Sequence, residues 1–208
     1  MLYEKIEAYL ESARLMFGTI SIERKEILQA FAKSIKQKIN KGEEANLVFI
    51  CTHNSRRSTF GQIWAKTAAS YFNIDKINTF SGGTEATAFN PRAVAAIERA
   101  GFDVKKLNET SNPNYQVNFA ENADGIVCYS KTFDDNANPK TNFFAVMTCN
   151  DADKNCPFIP GALERISLKY VDPKIADGTT QEEKVYDERC FQIATEMCYL
   201  FDNAKILI

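Results

Sequence analysis

A cysteine followed six residues later by an arginine and then a serine gives this 208-residue chain its strongest chemical signal. The segment from Cys51 to Ser58 begins at the last residue of the apolar run 46–51 and ends where a helical pattern begins. A loop between the carboxyl end of a strand and the amino end of a helix directs backbone N–H groups inward, and the helix dipole adds partial positive charge. The segment therefore predicts a loop that binds a tetrahedral, phosphate-like oxyanion.

The residue types in this loop predict nucleophilic chemistry. Inward N–H groups and the guanidinium of Arg57 stabilise thiolate over thiol, so Cys51 is the predicted nucleophile. Arg57 offers a planar fork that matches two oxygens of the anion, while Ser58 can donate to the Cys51 sulfur. The residues predicted to bind the oxyanion are Thr52, His53, Asn54, Ser55, Arg56 and Arg57. His53, the only histidine, is interpreted as a loop residue and not a general base. The alternative for Cys51 is a small apolar residue that ends a buried strand.

The charge composition of the chain limits the classes of binding partner that the sequence predicts. The chain has 25 basic and 27 acidic residues, a net charge of −2 and no long run of one sign, which disfavours a nucleic acid or an anionic membrane surface as a partner. The first residues lack the pattern of a secretory signal, and no apolar run approaches the roughly 20 residues that span a bilayer. We therefore expect a cytoplasmic protein with a small substrate, in which the six cysteines are reduced at rest.

The remaining pattern predicts an α/β domain. Residues 1–43 read as an extension of two amphipathic helices, the second capped by Ser21, and residues 44–208 as the main domain. Apolar runs predict strands at 46–51, 77–81, 124–130, 142–148 and 166–171, and an edge strand at 115–119. Helices are predicted at 58–72, at 91–100 after an Asn90 cap, and at about 180–204. Residues 131–141 suggest a hairpin or an excursion. This alternation is typical of a mostly parallel sheet.

The loop resembles the phosphate-binding loop of the low-molecular-weight protein tyrosine phosphatase family. That family's nucleophile, loop asparagine, oxyanion arginine and supporting serine match Cys51, Asn54, Arg57 and Ser58. The segment 81–103 is also similar to the family's second strand and helix. The resemblance covers about residues 46–203 and implies a three-layer α/β sandwich with a central, mostly parallel sheet. It also implies that Asp172, which precedes a proline, is the general acid.

A second motif, from Thr148 to Pro157, contains Cys149 and Cys156 and resembles the thioredoxin-coupled arsenate reductases on the same fold. By that resemblance, Cys51 attacks arsenate, Cys149 attacks the arseno-adduct to release arsenite, and Cys156 then forms a disulfide with Cys149 that thioredoxin reduces. The alternatives are that these two thiols are buried, incidental or metal-binding. Four ligands with paired short spacings are absent from the sequence, so no metal site is predicted, and no cofactor is predicted. The cysteines interpreted as packing are Cys128, Cys190 and Cys198.

The sequence departs from its relatives at several positions. Arg56 stands where many family members have a second loop cysteine, and His53 where a glycine is common. Gln62 replaces a glutamate that the reductases link to a potassium site. Lys174 follows the Asp-Pro pair where tyrosine phosphatases carry tyrosine, and the stretch 112–142 is longer than the reductases need.

Three functions are consistent with these residues. The leading hypothesis is a thioredoxin-coupled arsenate reductase. The second is a low-molecular-weight protein tyrosine phosphatase that hydrolyses phosphomonoesters through a phosphocysteine, which leaves Cys149 and Cys156 without a role. The third is a non-catalytic module that binds an oxyanion or senses redox state.

Overall fold

The computed structural model describes residues 1–155 and 158–205 of the chain. Its helices are α1 (Glu4–Leu15), α2 (Ile22–Asn40), α3 (Arg57–Tyr71), α4 (Pro91–Ala100), α5 (Asn150–Asn155) and α6 (Glu182–Ala204). Its strands are β1 (Ala45–Cys51), β2 (Ile77–Gly83), β3 (Asp103–Lys106), β4 (Tyr115–Asn118), β5 (Ile126–Cys128), β6 (Phe143–Met147) and β7 (Ala162–Ser167). Short 3₁₀ helices cover Met16–Thr19 and Pro173–Ala176.

Four parallel strands in the order β2-β1-β6-β7 form the central sheet. Strand β1 has side chains buried on both faces: Leu47 and Phe49 join the core under α3 and α6, and Val48 and Ile50 join the core under α5. A strand buried on both faces in this way is typical of a parallel sheet between helical layers. The predicted three-layer α/β fold with a parallel central sheet is confirmed.

The smaller sheet differs from the prediction. It has three antiparallel strands in the order β3-β4-β5, so the segment predicted as an edge strand at 115–119 forms the central strand of a separate sheet. The strand predicted at 124–130 is shorter, and β3 was not predicted. Alternation shows that a segment is extended but does not identify its pairing partner. Residues 131–141 form turns and not a hairpin.

The last strand of the central sheet begins earlier than the sequence indicates. The prediction was 166–171, whereas β7 spans Ala162–Ser167 and pairs with β6. In its first half Leu163 and Glu164 are exposed. This half therefore lacks the run of apolar residues from which the other strands were predicted. After Ser167 the chain stays beside β6, because the N–H of Leu168 donates to the carbonyl of Met147 at 2.9 Å.

The N-terminal helices pack on the main core. In α1 the buried residues are Ile6, Leu10 and Ala13, and both α1 and α2 contact α6. The Ser21 hydroxyl accepts from the N–H of Arg24 at 3.2 Å, which is the predicted helix cap. The division into residues 1–43 and 44–208 stays a prediction. In the part of the chain that the structure describes, none of the helices has the length and apolarity needed to cross a membrane.

Candidate active site

The predicted oxyanion loop lies between β1 and α3. Cys51 is the last residue of β1, and α3 begins at Arg57, so the helix axis points its positive amino end at the loop. Within residues 1–155 and 158–205, the backbone N–H groups of loop residues 53–56 have no hydrogen-bond acceptor. Unpaired N–H groups at a helix start are the donors that an oxyanion requires.

The Cys51 sulfur lies 3.1 Å from the Ser58 hydroxyl oxygen. The side-chain amide of Asn54 donates to that same oxygen at 2.9 Å. Because Asn54 supplies the hydrogen of one bond, the Ser58 hydrogen is free to point at the sulfur, where it stabilises the thiolate. The predicted contact of Ser58 with the Cys51 sulfur is thus present, and Cys51 is 3% exposed.

Asn54 also fixes the shape of the loop. Its φ of +46° lies in the left-handed region, which asparagine tolerates better than most residues, and its side-chain oxygen accepts from the N–H of Lys131 at 3.0 Å. Gly83 lies beside it at the end of β2. A Cβ there would come within 2.6 Å of the Thr52 carbonyl oxygen and 2.8 Å of the Asn54 nitrogen, so the loop requires glycine at this position.

The structure brings Arg57 and Asp172 together. The Nη2 atom of Arg57 lies 2.6 Å from Oδ2 of Asp172, and Nη1 donates to the Tyr170 carbonyl at 3.2 Å. The arginine side chain is 10% exposed. Its Nε atom is buried and finds no acceptor in the described part of the chain. A buried donor without a partner is costly, so this group fits an oxyanion that approaches the loop.

The other loop side chains have different surroundings. Ser55 donates to the Ala88 carbonyl at 2.6 Å, away from Cys51. His53 is 43% exposed in its side chain, and its Nε2 is 3.6 Å from a carboxylate oxygen of Glu85. Arg56 donates to the Tyr186 hydroxyl at 2.7 Å and is therefore directed at α6. The role predicted for these three side chains in oxyanion binding stays a prediction.

A second thiol lies next to the loop. The sulfur of Cys149 is 3.5 Å from the hydroxyl oxygen of Thr52, the residue after Cys51. The sheet explains this placement, because Ile50 pairs with Met147, Cys51 ends β1, and Cys149 follows the carboxyl end of the adjacent parallel strand β6. Cys149 is fully buried, and its sulfur accepts from the N–H of Ala152 at 3.4 Å. Cys156, the third predicted redox cysteine, lies outside the described residues.

The remaining cysteines are packed in the core. Burial raises the pKa of the thiols of Cys128, Cys190 and Cys198 to about 12 in each case. All three are fully buried. Thiols of this kind are unreactive near neutral pH, which supports the interpretation that they are packing residues.

Comparison with known proteins identifies the family. The chain is 31% identical over 147 residues to a Bacillus subtilis protein named arsenate reductase. The matched segment covers 71% of this chain and 87% of that protein. It is also 31% identical over 131 residues to arsenate reductase 2 of Staphylococcus epidermidis, covering 63% of this chain and 80% of the relative. The chain belongs to the arsenate reductase family. Models of protein families gave no match.

Solved structures show the fold of this arsenate reductase family member. A low-molecular-weight phosphotyrosine phosphatase from Vibrio cholerae superposes with a TM-score of 0.52 at 13% identity, covering 76% of this chain and 95% of that one. A structure described as an arsenate reductase in the phosphate binding state gives a TM-score of 0.51 at 17% identity, covering 77% and 99%. At these identities the similarity concerns the fold alone.

Three features of this family member were not predicted from its sequence. The first is the contact between Thr52 and the second thiol. The second is the Tyr170 carbonyl on Arg57, because a backbone acceptor leaves no sequence signal. The third is the ion pair between Arg56 and Asp177, whose nearest atoms are 3.5 Å apart. Gln62 stands where the reductases carry a glutamate, and its side-chain oxygen accepts a hydrogen bond from the Ser81 hydroxyl at 2.5 Å.

Proposed function

We propose that this protein reduces arsenate to arsenite through a thiol–disulfide relay of Cys51, Cys149 and Cys156, with thioredoxin as the electron donor. The observation that carries the proposal is the second thiol, since the sulfur of Cys149 lies 3.5 Å from the side chain that follows the nucleophile. Oxyanion binding needs only the loop, whereas reduction needs a second sulfur within reach of the first. The proposal assigns the reaction to the cytoplasm, where thiols are kept reduced.

In the first step the oxyanion binds the loop amides and Arg57, and the Cys51 thiolate attacks arsenic. An S–As bond forms, and the bond from arsenic to one hydroxyl group breaks as Asp172 gives that hydroxyl a proton, so that it leaves as water. Bound oxyanion competes with Asp172 for Arg57, which leaves the carboxyl group beside the departing oxygen. The 2.6 Å contact between Arg57 and Asp172 supports this role, because it brings the carboxyl group next to the arginine that would bind the oxyanion.

In the second step the Cys149 thiolate attacks the sulfur of Cys51. The S–S bond forms while the S–As bond breaks, and its electron pair stays on arsenic, which is reduced from As(V) to As(III) and leaves as arsenite. Cys156 then attacks the sulfur of Cys149 and releases the Cys51 thiolate. A dithiol of thioredoxin reduces the resulting disulfide by exchange, so two electrons enter for each arsenite produced.

A steady-state assay tests the proposed function. The reduced protein is mixed with thioredoxin, thioredoxin reductase, NADPH and arsenate, and the oxidation of NADPH is followed by absorbance. We expect oxidation that depends on both arsenate and thioredoxin, with one NADPH consumed for each arsenite formed. A preparation that hydrolyses an aryl phosphate but oxidises no NADPH with arsenate would identify the phosphatase alternative and exclude the reductase.

Replacing Asp172 with asparagine separates the proton donor from the binding site. The amide keeps the shape of the carboxylate but supplies no proton, so kcat should fall by about 10²- to 10³-fold. Removing the carboxylate also frees Arg57 from its ion pair, so the KM for arsenate should fall or stay unchanged. Steady-state kinetics with thioredoxin measure both constants.

The matched control is Asp75→Asn, which removes an exposed carboxylate from the connection between α3 and β2. Its kcat should stay within about twofold of the unmodified protein, as is usual for a surface substitution away from special features. An Asp172→Asn variant with an unchanged kcat, or one in which only KM rises, would show that Asp172 is not the acid.

A further inference from the structure

The backbone from Lys169 to Asp172 carries two groups of the proposed site. The Tyr170 carbonyl accepts from Arg57 at 3.2 Å, and the Asp172 carboxylate lies 2.6 Å from the same guanidinium. These residues follow β7 and belong to no strand or helix. The position of the proposed acid, and of the oxyanion arginine, therefore depends on what holds this short segment.

Arg24, in the first turn of α2, contacts the segment at two points. Its Nη2 donates to the Lys169 carbonyl at 2.6 Å, and its guanidinium carbon lies 5.3 Å from the centre of the Tyr170 ring. Both distances are those of favourable interactions, a charge-assisted hydrogen bond and a cation–π contact. Arg24 therefore reaches the segment from the helical pair at the start of the chain.

A buried carboxylate completes the arrangement. Glu196 of α6 is 3% exposed, and its Oε2 accepts from the Tyr170 hydroxyl at 2.8 Å. The Nε of Arg24 lies 3.6 Å from the same oxygen. Burial raises the pKa of both Glu196 and Tyr170. Removing one partner of a buried ion pair leaves an uncompensated charge, so the loss of Arg24 disturbs the Tyr170–Glu196 contact as well as its own.

We propose that Arg24 is a positioning residue of the active site, which holds the 169–172 segment through the Lys169 carbonyl, the Tyr170 ring and Glu196, and thereby fixes Arg57 and Asp172. The inference rests on the proposed function for its turnover readout only. Within the described residues Arg24 makes no hydrogen bond or ion pair with the loop itself, so its action on the site passes through the 169–172 segment and the Tyr170 carbonyl.

The test compares Arg24→Ala with Lys33→Ala, which removes one positive charge from an exposed position of the same helix. We expect Arg24→Ala to lower kcat/KM for arsenate by about tenfold, because small displacements of catalytic groups cost one to two orders of magnitude. Lys33→Ala should stay within about twofold. The assays are run at a temperature well below the thermal unfolding midpoint of each variant.

Chemical rescue separates positioning from general stability. Arg24 and Glu196 line a surface cleft of about 460 Å³, which is open to free guanidinium once the arginine side chain is removed. Millimolar guanidinium should restore part of the activity of Arg24→Ala and leave Lys33→Ala unchanged. If Arg24→Ala only lowers the unfolding midpoint while the folded protein keeps its kcat/KM, Arg24 is structural and the proposal is wrong.

A second readout does not depend on turnover. Phosphate bound in the loop should slow the alkylation of Cys51 by iodoacetamide, and the concentration that protects half of the thiol should rise about fivefold in Arg24→Ala if Arg57 is displaced. If the unmodified protein reduces no arsenate, the proposed function fails, and this protection still decides the role of Arg24.

Tyr170→Phe keeps the test decisive even if Arg24→Ala does not fold. It removes the hydroxyl contact with Glu196 but keeps the ring and the carbonyl, so protection should weaken about twofold, in the same direction. Unchanged protection and unchanged kcat/KM in both variants, or in Tyr170→Phe when only that variant folds, would overturn the proposal.

Discussion

Replacing Cys51 with serine is expected to lower kcat for arsenate reduction by at least about 10⁴-fold, as removal of a covalent nucleophile does in other enzymes. A serine hydroxyl stays protonated at neutral pH and cannot replace the thiolate as the nucleophile. The hydroxyl can still contact Ser58, whose oxygen lies 3.1 Å from the present sulfur. The loop should therefore keep its shape, and phosphate affinity, measured by calorimetry, should change by less than about threefold.

The matched control for this substitution is Cys190→Ser. Cys190 is also fully buried, and its sulfur accepts from the indole N–H of Trp64 at 3.2 Å, a bond that a serine oxygen can replace. This variant should keep its kcat when assayed below its unfolding midpoint. A Cys51→Ser variant that retains a tenth or more of the activity would exclude covalent attack by this sulfur.

Replacing Cys149 with serine should give the second largest effect, a loss of at least about 10³-fold in thioredoxin-coupled turnover. The sulfur of Cys149 lies next to the loop, 3.5 Å from Thr52, and is the thiol proposed to attack the adduct. Without it the S–As adduct would form, but no thiolate would break the S–As bond. Hydrolysis of an aryl phosphate by Cys51 needs only the loop and the acid. Any such hydrolysis should therefore stay within about twofold of the unmodified protein.

The two activities of this variant contradict the relay in different ways. Unchanged arsenate reduction in Cys149→Ser would show that another thiol, or thioredoxin itself, attacks the adduct. Equal losses of both activities would indicate that the substitution damages the loop and not the relay. Calorimetry with phosphate distinguishes that damage, because a damaged loop binds phosphate more weakly.

The positions of Cys51 and its immediate neighbours could be predicted because they depend on local sequence. A buried strand, a loop and a helix that follow one another in the chain form one continuous unit, so Cys51, Asn54 and Ser58 come together through local sequence. The contact of Ser58 with the Cys51 sulfur is the one expected from this unit. The assignment of Asp172 to the site came only from the resemblance to the phosphatase family, and its contact with Arg57 was not predicted.

The supports of the site could not be predicted, because they join residues far apart in the chain through groups that leave no pattern. The Tyr170 carbonyl on Arg57 is a backbone atom that every residue possesses. Arg24 and Lys169 are separated by 145 positions, and an arginine on the polar face of a helix is read as solvated surface. The small sheet was missed for a similar reason, since alternation within β4 does not specify its partners.

Disulfide mapping after a single turnover tests the central claim most directly. The fully reduced Cys156→Ser variant is mixed with arsenate in the absence of thioredoxin, quenched with acid and digested, and its disulfides are identified by mass spectrometry. The relay predicts one arsenite per chain and a disulfide that joins Cys51 to Cys149, with none formed when phosphate replaces arsenate. Arsenite release with both thiols still free, or no arsenate-dependent disulfide at Cys51, would contradict it.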